Sequence, residues 1–143
     1  MAVRTYDPKL VSIALGTILL EGFSVNQMIS VEYDENNFFK RKGARGGFSR
    51  TRNASQMGML TVFLAQTSPS NEALQNAFNA DYFGGGATLP LLGRDAGGTS
   101  VFKGSGCYVE KLPTMEYGDQ EGDREWNIVV PELFLFHGTS FSQ

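Results

Sequence analysis

Residues 57–66 read Met57-Gly58-Met59-Leu60-Thr61-Val62-Phe63-Leu64-Ala65-Gln66. A period of two runs through them, the signature of a β-strand. Met57, Met59, Phe63 and Ala65 fall on one face, interrupted by Thr61, and Leu60, Val62 and Leu64 fall on the other. Apolar residues on both faces require that both faces be covered. One cover is the domain's own core. The other has to be a helix or a second subunit. A β fold and self-association are thus both expected from this one stretch.

Working outward, the same period recurs upstream. Ile29, Val31 and Tyr33 alternate with Ser30, Glu32 and Asp34, which predicts a strand with one face in the core and one facing water or a polar lumen. Leu10–Leu15 and Ile18–Leu20 alternate around Gly16-Thr17, a pair suited to a tight hairpin turn. Met1–Pro8 reads as an extended arm. Downstream, Ser68 and Pro69 open a helix over 69–83, with Ser68 as cap and Pro69 in the first position. Leu74, Ala77, Phe78 and Tyr82 make its apolar stripe, and Gly84-Gly85-Gly86 ends it. Short strands are expected at Thr88–Leu92, Ser100–Lys103 and Cys107–Lys111, with a turn at Asp95–Gly98. Trp126, Ile128 and Val130 alternate before Pro131, which belongs at a strand edge or end. Residues 131–143 form a C-terminal tail whose apolar part, Leu133–Phe136, has to pack on something. The sum is about eight or nine short strands and one helix: a mainly β sandwich or barrel in a single domain over 1–143.

Two segments stand apart by charge. Phe38–Asn53 holds Lys40, Arg41, Lys42, Arg45, Arg50 and Arg52 and no acid, so half of the chain's 12 basic residues occupy one segment. Gly43, Gly46 and Gly47 mark its tip, and residues 38–56 read as a long projecting hairpin or loop. Glu116–Glu125 is its converse, with Glu116, Asp119, Glu121, Asp123 and Glu125 against Arg124 alone. Either segment can be simply solvated, or the two can pair within one subunit. Their asymmetry suggests instead that they meet between subunits.

Composition narrows the function classes. The 143 residues are 41% hydrophobic and only 19% charged, against about 25% charged in a typical soluble domain. A surface so poor in charge is either unusually neutral or covered by partners. The net charge of −3 is too small to imply a strongly acidic or basic partner for the whole molecule. The single cysteine, Cys107, excludes an intrachain disulfide and a cysteine-based zinc site within one chain. His137 is the only histidine and sits beside Phe136, a packing position more than a catalytic one. No Gly-x-Ser-x-Gly, Walker or His-Glu-x-x-His motif occurs. Neither cofactor nor metal nor catalysis is expected, and nothing resembles a membrane span. Arg45-Gly46-Gly47-Phe48, with Phe38 and Phe39 nearby, leaves one rival reading: a nucleic-acid-binding β-barrel module that uses segment 38–53.

Four motifs carry a family resemblance: Tyr6-Asp7-Pro8-Lys9, Ile29-Ser30-Val31-Glu32-Tyr33-Asp34-Glu35, Gln66-Thr67-Ser68-Pro69-Ser70-Asn71 and Arg124-Glu125-Trp126. The third is the most specific. Over residues 6–130 the chain resembles the tail tube proteins of contractile-tailed bacteriophages, the phage phiTE-type tube family, which share a fold with type VI secretion and tailocin tubes. The stretch beyond Pro131 departs from that pattern. The resemblance implies homohexameric rings stacked into a virion tail tube, assembled in the host cytoplasm and conducting DNA to the host. It implies further partners: a sheath, a baseplate hub, a tail terminator, and a tape measure protein in the lumen. The basic segment takes the place of the inter-ring hairpin, and Ser30, Glu32 and Asp34 become candidates for the lumen lining.

Overall fold

The computed structural model describes residues 6–24 and 28–139. Most of the expected N-terminal arm and the last four residues of the tail fall outside them. Asp7 is extended and its side chain accepts a hydrogen bond from Lys9 N, capping a 3-10 turn at Pro8–Leu10.

Among the described residues ten strands and one α-helix follow: β1 (Val11–Leu15), β2 (Ile18–Leu19), β3 (Ile29–Tyr33), β4 (Phe38–Lys42), β5 (Phe48–Arg52), β6 (Gly58–Ala65), α1 (Ser70–Tyr82), β7 (Leu89–Asp95), β8 (Val101–Lys111), β9 (Asp123–Val130) and β10 (Glu132–Phe136). Eight strands form one sheet in the order β2-β1-β7-β8-β9-β6-β3, with β10 also paired to β8, and every pairing is antiparallel. β4 and β5 form a separate two-stranded ladder.

The eight-stranded sheet folds over on itself through β8. Val101–Ser105 pair with β10, and β7 runs along the other edge of this half. Tyr108–Lys111 pair with β9. Gly106 lies between the halves at φ +70, a conformation that L side chains adopt at a cost. Opposite it, β9 passes into β10 at Pro131, which has no N–H to give a ladder. One layer is therefore β2-β1-β7-β8-β10 and the other β8-β9-β6-β3. The core lies between them. Ile13, Leu15, Leu91, Cys107 and Leu133 come from the first layer, Leu60, Val62, Leu64, Trp126, Ile128 and Val130 from the second, and Leu74 from α1.

A mainly β sandwich with one helix is thus the fold, and several local expectations need correction. The strands expected at Ser100–Lys103 and Cys107–Lys111 are one bent strand, because the glycines between them make a bend and not a turn. Leu133–Phe136 belongs to strand β10, since β8 offers it a free edge. The helical stripe is buried only at Leu74 and partly at Ala77 and Phe78, whereas Tyr82 is 71% exposed. The helix runs past the sandwich there, and Tyr82 stacks on Phe78 with ring centres 5.4 Å apart. Along β6, Gly58, Leu60, Val62 and Leu64 are buried and Met59, Thr61, Phe63 and Ala65 are half-buried. α1 packs against β8 and β2, so it does not cover that second face.

Candidate assembly interface

The basic segment is a β-hairpin whose ten strand residues are all exposed. Among the described residues its ladder joins no other strand. Asn53 N donates to Asn37 O at the root, and Gly43 N donates to Gly47 O at the tip. With strands of five residues plus the tip, it reaches about 20 Å from the sandwich. Facing pairs are Phe38 with Arg52, Lys40 with Arg50 and Lys42 with Phe48. Directly opposed residues share a face, so Lys40, Lys42, Arg50 and Arg52 lie together with Phe38 and Phe48. Arg41 and Phe39 lie on the reverse, and Arg45 is at the tip. The Arg50 guanidinium sits 4.3 Å from the centre of the Phe38 ring. Lys40 opposite Arg50 is a like-charge pair, which destabilises a ladder. A lone two-stranded hairpin is marginal in water even without that penalty. Its bare rings, with Phe48 89% exposed, add to the cost of leaving it unpartnered.

The acidic segment is a loop that leads into β9, and half of its expected site residues are held locally. Glu121 Oε1 accepts from the Thr67 hydroxyl at 2.6 Å and from Thr67 N at 3.2 Å. These bonds, the hydroxyl's foremost, lower its pKa from the ordinary carboxylate value. Asp123 Oδ2 accepts from Ser24 Oγ at 2.7 Å. Glu116 and Asp119 are exposed, as are Met115 and Tyr117, both more than 70%. Among the described residues, no cation of the hairpin pairs with these carboxylates.

Strand register explains why. At one end of β6, Gly58 faces Tyr33 and Val130, and Asp34 N donates to Met57 O. The hairpin springs from that end. At the other end Ala65 faces Asp123, and Gln66 N donates to Gly122 O. The acidic loop joins there. Seven residue steps of about 3.4 Å put the two roots some 24 Å apart. Within the described residues of one subunit the two segments do not meet, and copies arranged head to tail set an end of one kind against an end of the other.

The acidic end is built on a hydrogen-bonded hub. Asn71 Oδ1 accepts from the buried Trp126 Nε1 at 2.9 Å, and Asn71 Nδ2 donates to Ala65 O at 2.9 Å and Ser68 O at 3.1 Å. Ser68 Oγ accepts from Ser70 N and donates to Glu21 O, which ties the helix start to the β2 end. Gly22, at φ +72, lies so close to Ser68 that a Cβ there would collide with it. The hub joins two of the sequence motifs, Gln66–Asn71 and Arg124–Trp126, which lie 55 residues apart. Neither motif alone reveals that contact.

Ser30 and Glu32 lie on the exposed side of β3, and Asp34 is exposed just beyond it. They share the outer face of the second layer with Thr61, which donates to Asn127 Oδ1, and with Glu125. The outer face of the first layer differs: Leu19, Leu92, Phe134 and Phe136 are each at least half exposed there. No local pattern reveals this apolar face, because its residues come from three strands far apart in the chain, β2, β7 and β10. Among the described residues no group of side chains could hold a metal ion. Burial pushes the Cys107 thiol up to about 11.

No family model matches the chain. It is 29% identical over 142 residues to structural protein ORF10 of Pseudomonas phage KPP10, covering 94% of this chain and 82% of that protein. Its fold matches the tube-terminating cap of the anti-feeding prophage, with a TM-score of 0.62 at 12% identity, covering 95% and 94% of the two chains. It also matches a chain of the sheath–tube complex of the extracellular contractile injection system PVC, with a TM-score of 0.61 at 12% identity, covering 92% and 90%. The sheath/tube terminator of that system gives a TM-score of 0.61 at 12% identity, covering 96% and 100%. The chain is thus similar in sequence to a phage structural protein, and its fold is the one found in a tube-terminating cap, a sheath/tube terminator and a chain of a sheath–tube complex.

Proposed function

We propose that this chain is the tube subunit of a contractile phage tail, forming hexameric rings that stack head to tail in the virion. One observation carries the reading: a bare basic hairpin and an acidic loop stand at opposite ends of the same strand, β6. Stacking copies in one direction sets hairpin against loop at every junction. Individual exposed ion pairs contribute only about 0–1 kcal/mol, but a sixfold ring repeats each of them. The half-buried face of β6 is the same outer face that carries Ser30 and Glu32, so in this reading it lines the lumen and takes no cover from a neighbouring subunit. The layer that carries Ser30, Glu32 and Asp34 faces the lumen, where its carboxylates keep DNA from adhering. Sheath, baseplate hub, terminator and tape measure protein are the further partners.

A terminator with the same fold offers only one stacking face, so electron microscopy of the purified protein separates the two roles. Long tubes support the tube subunit, and isolated rings support a cap. Changing Lys40, Lys42 and Arg50 to Glu should abolish tubes while leaving the sandwich folded, because the hairpin lies outside the core. Tubes of normal length from that variant refute the charge-matched junction. The rival reading draws on the same face, where Phe38 and Phe48 interleave with cations. It requires binding to single-stranded DNA that weakens steeply with salt.

A further inference from the structure

Beside the hub at the acidic end lies a groove of about 600 Å³, running between the first turns of α1 and residues 112–115. Pro69, Leu112, Pro113 and Met115 give it apolar walls, and Trp126 and Arg124 also line it. Glu72 stands in its wall. Glu121, bonded to the wall residue Thr67, stands at its margin. A pocket of this size accommodates one or two large side chains. Met115 is 71% exposed, so the apolar wall meets water in the isolated subunit.

We propose that this groove seats the hairpin tip of the next copy in the stack, with Phe48 as its anchor. The inference rests on the head-to-tail reading and names the receptor within it. Three features select the occupant. Phe48 is the most exposed large apolar side chain among the described residues, and it lies next to the tip. Lys42, directly opposite Phe48, and Arg45 at the tip bring cations to a groove where the carboxylates of Glu72 and Glu121 outnumber the one cation among its described residues, Arg124. The groove lies at the acidic end, which a head-to-tail neighbour's hairpin approaches. A ring in an apolar slot with charges at its rim is the usual anatomy of a protein-interface anchor. The ring adds short-range register to contacts that charge alone leaves loose.

Cross-linking tests this directly in the full-length chain. Ser49→Cys sits beside Phe48 and leaves the ring in place, and Gln75→Cys lies in the groove wall. Cys107 is buried, and its high pKa keeps it unreactive at neutral pH. A short bismaleimide should convert assembled double-cysteine protein into a ladder of covalent multimers, with none from either single variant. In parallel, Phe48→Ser should raise the concentration needed for assembly about tenfold or more. Tubes that form normally yet give no ladder, together with normal assembly of Phe48→Ser, would overturn the seat while head-to-tail stacking survives. The groove would then belong to another partner. Protein that never assembles under any condition removes the stacking reading and the seat with it.

Discussion

Replacing Asn71 with Ala tests whether the hub holds the acidic end in place. Asn71 is 5% exposed and Trp126 2%, so the bond between them is buried. The substitution removes the acceptor for the indole N–H, and an unsatisfied buried donor costs about 1–3 kcal/mol. The three carbonyls bonded by Asn71 Nδ2, those of Ala65 and Ser68 and, at 3.4 Å, Gln66, lose less. Ala65 O still accepts from Ser68 N, and Ser68 O still accepts from residue 71's own N–H. The lost amide bonds then add about 0.5–1.5 kcal/mol net. The expected destabilisation is about 2–4 kcal/mol. At a urea m-value of about 2 kcal/mol/M, the midpoint falls by roughly 1–2 M with an unchanged slope. Trp126 is the only tryptophan, so its fluorescence reports the transition. A double-mutant cycle with Trp126→Phe, followed by circular dichroism, isolates the bond and should show a coupling of about 1–2 kcal/mol. A loss below about 0.5 kcal/mol for Asn71→Ala, or no coupling in the cycle, refutes the hub as an energetic link.

Two further outcomes are expected. Thr67 holds the pKa of Glu121 below its unfolded value, so this group's stabilisation is complete above the usual carboxylate range and is lost as pH falls through the lowered folded-state pKa. Glu121→Gln should therefore melt below wild type at neutral pH and converge on it in acid, and a gap that stays constant from neutral pH into acid contradicts the linkage. Replacing residues 38–52 with a short glycine linker should leave the melting temperature within a few degrees of wild type and abolish tubes. A large fall in the melting temperature would show that the hairpin supports the sandwich.

Legibility followed the range of the interactions. β6 was readable because its alternation is local, and the basic hairpin because glycines and like charges cluster in sixteen consecutive positions. Gly104-Ser105-Gly106 looks like a turn in sequence, and only its pairing with Glu132 and the strand beyond shows one bent strand. Tyr82 fits the helical period, yet its exposure depends on where the sandwich ends.

By itself, the sequence determined a β-rich chain with a charge-segregated surface and one helix, since propensity, period and composition act over a few residues. Tertiary structure decided what those pieces do. Register along β6 sent the basic hairpin and the acidic loop to opposite ends, and folding set Trp126 against Asn71. Both depend on contacts between residues far apart in the chain, which no local pattern encodes.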